Sequence, residues 1–195
     1  YQLEDSVHFD SRASAILNIT ADHLDHHGTM AAYLAAKAKV FRDQGPGDAC
    51  VFNADDPTVF KLSRECPSER LYFGTKGINV HAWEEGGKLH FKLPGSKKES
   101  ALVPPKLPGR HNLENAMAAG LLALARGIKL AVIQKAFKAF KGVEHRLEPC
   151  GSVRGIACVN DSKATNVDST VVALKAHEPG GKRLLLILGG LHKGF

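Results

Sequence analysis

The chain has 195 residues, 44% of them hydrophobic and 24% charged, which is ordinary globular material with length for one large domain or one and a fraction. Its 26 Lys and Arg against 20 Asp and Glu leave a formal charge of +6. That surplus is spread without a basic tract or an aromatic-interleaved patch, so nucleic acid is unsupported as a partner and a phosphorylated, acidic small substrate explains the charge equally well.

No run approaches the roughly 18 apolar residues of a membrane helix, and no secretory leader is recognisable, so a soluble chain without a membrane partner is expected. Cys50, Cys66, Cys150 and Cys158 form no CxxC pair. Cys50, Cys150 and Cys158 lie in or beside apolar strand-like runs, which suits buried free thiols in a reducing cytoplasm better than a disulfide frame or a zinc site. The chain opens Tyr1-Gln2-Leu3-Glu4 without methionine and stops at Lys193-Gly194-Phe195 just after a strand-like run. It is expected to be cut from something longer.

Ala15 to Thr20 and Ala49 to Asn53 are short apolar runs followed by polar loops, as expected of buried parallel strands. Between them Met30 to Asp43 reads as a helix with Thr29 as N-cap, which makes a βαβ unit. A short helix after Pro57 and a strand Arg70 to Gly74 follow. From Ile78 to Val103, period-two alternation broken at Gly86-Gly87 and Pro94-Gly95 predicts a small antiparallel hairpin region at one edge. Arg110 to Arg126 predicts a helix with Leu113, Ala116, Met117, Gly120, Leu121 and Leu124 as its stripe and Gly127 as its stop. A second helix runs from Leu130 to Phe140. After a boundary near Gly142 or Val143 come a strand from Arg146 to Cys150, a turn at Gly151, a strand from Gly155 to Asn160, a helix, and a strand from Leu184 to Leu188.

In open α/β sheets ligands gather at the carboxyl ends of strands, and four polar stretches fall there. Thr20 to His27 (TADHLDHH) is dense in acids and imidazoles; it is either a solvated loop capping the next helix or a holder of a hard cation, with Mg²⁺ favoured over zinc. On the next helix, at about 100° per residue, Lys37 falls within the stripe of Tyr33, Ala36, Val40 and Phe41, while Lys39 points well away. A lysine there either snorkels or, with its pKa lowered by burial, becomes open to covalent modification. In Gly109 to Asn115, Asn112 and Asn115 share a helix face and suit the donor and acceptor pattern of a nucleobase, although N-capping accounts for one of them. Finally, Asp161, Lys163, Thr165 and Asn166 precede a helix whose free N–H groups favour anions, with Arg146 before them and Lys193 after the last strand.

Taken together, Tyr1-Gln2-Leu3, NITADHLD from Asn18, YLAAK from Tyr33, NADD from Asn53, GRHNLENA from Gly109, His145-Arg146 and DSKATN from Asp161 make the chain resemble the Mur ligases of peptidoglycan synthesis. DSKATN resembles the branch that adds D-glutamate. The resemblance implies an ATP-dependent ligase that phosphorylates the alanine carboxylate of UDP-N-acetylmuramoyl-L-alanine and lets the D-glutamate amine displace phosphate from the acyl phosphate. It implies Glu4 and His23 as Mg²⁺ ligands and Lys37 as a lysine carbamylated by carbon dioxide. It further implies Asn112 and Asn115 around adenine, Arg146 at the ATP phosphates and Asp161 near ribose and phosphates. Lys163, Thr165 and Lys193 then position D-glutamate and the acyl phosphate.

Two departures from the family pattern stand out. No Gly-Lys-Ser/Thr phosphate loop occurs in the chain, so it is expected to be inactive alone, and Leu191-His192 stands where relatives often carry an acid before Lys193. The expected fold is a mostly parallel α/β central ATP-binding domain over residues 1–142, with its hairpin region, followed over 143–195 by the start of a Rossmann-like domain. A cytoplasmic monomer is expected. A sibling Mur or folylpolyglutamate ligase with another acceptor, or a non-catalytic nucleotide-binding protein, remain the alternative readings.

Overall fold

The computed structural model of the chain describes residues 2–20, 24–77, 79–177 and 183–190. Strands β1 (Ala13–Ile16), β2 (Ala49–Asn53), β3 (Glu69–Phe73), β4 (Ala82–Glu85), β5 (Lys88–Phe91) and β6 (Ser100–Leu102) form one sheet in chain order. The three pairings from β1 to β4 are parallel, and the last two, β4–β5 and β5–β6, are antiparallel. The antiparallel region expected at an edge is therefore a continuation of the main sheet. Gly86 and Gly87, both with positive φ, close the two-residue turn between Glu85 and Lys88, as a type I′ hairpin requires.

Five helices pack around or beside this sheet. Helix α1 (Leu24–His27) is a single turn, and α2 (Met30–Arg42) starts where Thr29 accepts the Ala32 amide on its hydroxyl. α3 (Pro57–Leu62) follows β2, while α4 (Arg110–Ala125) and α5 (Leu130–Ala139) follow β6. β2 is buried along its whole length, and its side chains alternate between two cores. Ala49 and Val51 face α4 and α5 with Leu71, Phe73, Leu89, Phe91, Met117, Leu121 and Phe137. Cys50 and Phe52 face α2 and α3 with Tyr33, Phe41, Val59 and Leu62. Gly120 lets α4 settle on the sheet, since a Cβ there would lie 2.6 Å from the Phe91 ring.

Four sequence expectations shift. β1 ends at Ile16, not Thr20, because pairing stops at Ile16–Phe52 and the Ile19 amide turns to a carboxylate instead. Strand β7 (Glu148–Val153) runs through Gly151 as a bulge, and the turn falls at Arg154-Gly155 before β8 (Ile156–Asn160). These two strands form a separate antiparallel sheet, followed by helix α6 (Val167–Ala176). Leu184 to Leu188 forms no strand, since no neighbour pairs with it among the described residues, and Ile187 is 92% exposed. Cys50 and Cys66 are buried, but Cys150 is exposed and Cys158 half-buried, because no layer of the described residues covers the β7–β8 hairpin.

His81, between β3 and β4, supplies a titration test. The Tyr72 amide donates to its Nδ1 at 3.0 Å, so that nitrogen is unprotonated, and burial holds the imidazole below its ordinary pKa against an opposing pull from Glu69. The unfolded chain binds the extra proton first as pH falls. Stability is thus full above the ordinary value of about 6.5 and declines as pH drops from there toward the lowered folded value. His81→Asn keeps an acceptor but does not titrate. Urea midpoints measured across this window should fall with pH in the parent and show a flatter slope in His81→Asn; equal slopes would remove His81 as the source.

Candidate active site

The carboxyl ends of the three leading parallel strands are drawn together by two adjacent acids. Asn53 Oδ1 turns the chain by accepting the Asp55 amide at 2.9 Å. Asp56 Oδ1 accepts the amides of Thr58 (2.9 Å) and Val59 (3.0 Å), capping α3 ahead of Pro57, and its Oδ2 accepts Ile19 N–H at 3.0 Å. Asp55 Oδ2 accepts both the amide (2.9 Å) and the hydroxyl (3.0 Å) of Thr75, and Arg110 donates to the same oxygen at 3.1 Å. Arg110 also reaches Glu114 at 3.0 Å, so the first turn of α4 is anchored over the strand ends. Gly74 must stay bare, since a Cβ would sit 2.9 Å from Asp55 Oδ1.

At the start of α4 the expected asparagine N-cap is replaced by Gly109, with φ at 90° and no side-chain cap. The helix already starts at Arg110, which puts Asn112 and Asn115 inside it, and a Cβ at 109 would meet the His111 ring at 2.6 Å and the Ala176 Cβ of α6 at 3.0 Å. Asn112 instead donates its amide to the Pro108 carbonyl at 2.6 Å, leaving its own carbonyl for another group, while Asn115 is exposed one turn on. Half-buried His111 is held below its ordinary pKa by burial, with Glu114 and Asp161 pulling the other way. Asp161 belongs to the DSKATN loop, so the fold brings that loop to the head of α4.

The loop itself is tied to the turn before β7. Asp161 Oδ1 accepts the Leu147 amide at 3.1 Å, and Lys163 N–H donates to the His145 carbonyl at 3.1 Å. The Asn160 side-chain nitrogen lies 2.9 Å from His145 Nδ1, and the His145 amide donates to Glu148 at 2.8 Å. His145 and Leu147 are both left-handed, at φ 65° and 46°, an arrangement sustained only because their surroundings over-determine it. Arg146 between them is exposed and joins no ion pair among the described residues. Lys163 and Thr165 are exposed, and Asn166 caps α6 by accepting the Ser169 amide at 2.8 Å.

On the other side, the segment before β1 lies along α2. Ser11 donates to the Val40 carbonyl, Arg42 to the Val7 carbonyl and the Lys39 ammonium to the Glu4 carbonyl. Lys39, expected to point away, is therefore the lysine that fixes Glu4. The Glu4 carboxylate faces His26 Nε2 at 2.5 Å and His27 Nδ1 at 3.6 Å, and its pKa is lowered first by the hydrogen bond to His26. Lys37 is half-buried with its ammonium 4.9 Å from the Tyr33 ring centre, and the same ring lies 5.2 Å from that of His27. Glu4, His26, His27, Tyr33 and Lys37 therefore share one neighbourhood. His23 and Lys193 lie outside the described residues.

Asp55, Asp56 and Asn160 were given no individual role from sequence, and His26 entered only within the Thr20 to His27 stretch. An Asp directly before Pro57 is a helix-start signal for Asp56. Asp55 and Asn160 act through contacts between distant segments, for which the sequence has no local mark.

Residues 2–123 match the Mur ligase middle domain. The UDP-N-acetylmuramoylalanine--D-glutamate ligase of Elusimicrobium minutum is 49% identical over the whole chain, and that of Pelotomaculum thermopropionicum 41%. The chain spans 42% of each, less than half the length of these curated relatives. Among solved structures, MurF from Acinetobacter baumannii matches 85% of the chain and 37% of its own at 23% identity, with a TM-score of 0.69. MurF ligase from Thermotoga maritima in complex with ADP matches 85% of the chain and 38% of its own at 19% identity, with a TM-score of 0.60.

The strand-end clip is tested by Asp56. Asp56→Ala removes the α3 cap and the Ile19 tie, and should lower unfolding free energy by about 1–3 kcal/mol in urea melts. Asp56→Asn retains a capping oxygen and should recover much of that loss. An Asp56→Ala variant as stable as the parent would show that the clip contributes nothing.

Proposed function

The chain belongs to the Mur ligase family, and on that premise we propose that it serves an ATP-dependent ligase joining D-glutamate to UDP-N-acetylmuramoyl-L-alanine in peptidoglycan synthesis. The observation that carries this reading is the identity to D-glutamate ligases over the whole chain, which takes in the DSKATN loop that sits at the head of α4. We read residues 1–142 as the central ATP-binding domain and 143–195 as the start of the carboxyl-terminal domain, in keeping with the separate β7–β8 sheet. A cytoplasmic, monomeric enzyme goes with this reading. No described helix is long and apolar enough to cross a membrane.

Phosphoryl and acyl transfer ask the protein mainly for position and countercharge. Asn115, exposed, and the uncommitted carbonyl of Asn112 suit the edge of adenine. Arg146, held outward by the two left-handed residues beside it, suits the ATP phosphates, with Asp161 nearer the ribose and phosphates. Lys163 and Thr165, together with Lys193, would hold the D-glutamate carboxylates and the acyl phosphate. With those anions fixed, the free amine of D-glutamate attacks the acyl carbon, the C–O bond to phosphate breaks, and the amine proton passes to a base.

Mg²⁺ prefers oxygen donors and keeps several waters. Glu4, 39% exposed on its side chain, offers such an oxygen, and a carbamate on Lys37 would bring more into the same neighbourhood, so Glu4, Lys37 and His23 are the residues assigned to hold the ion. When bound, the ion would neutralise charge on the transferring phosphoryl group. The chain's own part is to keep Glu4 in place, through the Lys39 contact to its carbonyl.

In the full-length protein supplied with UDP-N-acetylmuramoyl-L-alanine, ADP release should depend on D-glutamate and not on L-alanine, L-lysine, diaminopimelate or a folate. Turnover with one of these others, and none with D-glutamate, would overturn the reading. Lys37→Ala should lower turnover on the order of 10²-fold, the scale of losing one charge-stabilising group, with partial recovery on adding acetate. Unchanged turnover would return Lys37 to a surface cation resting on Tyr33.

A further inference from the structure

We propose that Glu4, His26 and His27 form a binding site for a divalent first-row transition ion, with zinc as its representative. The three donor atoms all lie within 4.8 Å of one another. A tetrahedral zinc with bonds of about 2.0–2.1 Å sets its ligand atoms roughly 3.4 Å apart. His27 Nδ1 and the Glu4 oxygen, at 3.6 Å, already have that separation. His26 Nε2, at 2.5 Å from the same oxygen, has to withdraw by about an ångström. Its imidazole is 40% exposed against 0% for that of His27, so it is the more adjustable of the two.

The arrangement has one fixed and one adjustable side. The His27 side chain is fully buried against Tyr33, and the Glu4 backbone is tied to Lys39, so two of the three ligands are held before an ion arrives. His26 meets the His27 ring edge-on with centroids 4.9 Å apart, presenting its nitrogen toward the shared carboxylate rather than stacking. Glu4 and His26 are 39% and 40% exposed on their side chains, so an ion bound there would be in reach of solvent water as a fourth ligand. Two imidazole nitrogens and one carboxylate oxygen suit zinc, cobalt, nickel or iron, whereas Mg²⁺ and Ca²⁺ select oxygen. This donor set differs from the magnesium set proposed above and shares only Glu4 with it, so the two ions would compete for that residue.

The test needs neither nucleotide nor turnover, so its failure and that of the ligase reading are separable. Chelator-treated protein titrated with Zn²⁺ should take up one equivalent. Co²⁺ should give visible d–d bands without a thiolate charge-transfer band. His26→Ala and Glu4→Gln should each weaken zinc binding by about tenfold or more, while Cys150→Ser leaves it unchanged. The position of His26 on the surface keeps that variant folded, and a circular dichroism melt checks it. No zinc uptake, parent-like affinity in folded His26→Ala, or a thiolate band would each overturn the proposal.

Discussion

Two neighbouring carboxylates after the most buried strand hold this molecule's working edge together. Parallel strands deliver their carboxyl ends to one side of a sheet, but nothing in the ladder fixes how the loops beyond them meet. Asp56 ties the chain leaving β1 to the start of α3, and Asp55 ties the chain leaving β3 to the first turn of α4. Each acid accepts several donors at once, so neither is left with an unpaired charge near the core. Because both sit on consecutive residues of one turn, the three strand ends and the α4 head are tied to a single point of the chain.

From that point the two halves of the site extend in different ways. The α4 head meets the DSKATN loop through His111, Asp161 and the close approach of Gly109 to Ala176. The loop in turn is pinned to the turn before β7 by the Lys163 amide on the His145 carbonyl and by the Leu147 amide on the Asp161 carboxylate. Exposed Arg146 and Lys163 are thus carried on backbone that is fixed on both sides. The Glu4 side is organised by α2, whose lysine and arginine bind backbone carbonyls of the preceding segment and so lay the amino-terminal stretch along the helix.

How much of this could be read in the residues follows from how local each cause is. Helix α2 was legible because its N-cap and its stripe are short-range, and Thr29 caps it as expected. The α4 stripe was legible for the same reason, down to the glycine that meets Phe91. The placement of β1 was not, because its end is set by a hydrogen bond to an acid 37 residues away. Gly151 read as a turn, since glycine marks turns and bulges alike, and only the register of the partner strand separates them. Lys37 rests on Tyr33 of the stripe as its helical angle requires, whereas the partner of Lys39 comes from the segment that lies along α2, which helical angle does not show. Family resemblance pointed to Glu4, and only the folded chain shows the two adjacent imidazoles that face it.

The bare backbone at residue 109 sets a spacing. With hydrogen in place of a side chain, the Ala176 end of α6 comes down onto the head of α4, and the separation of the two helices there is fixed by an atom that is not there. Any larger group would act as a wedge, pushing the end of α6 away from the first turn of α4. That spacing is therefore written in a vacancy, at a position with no chemistry of its own.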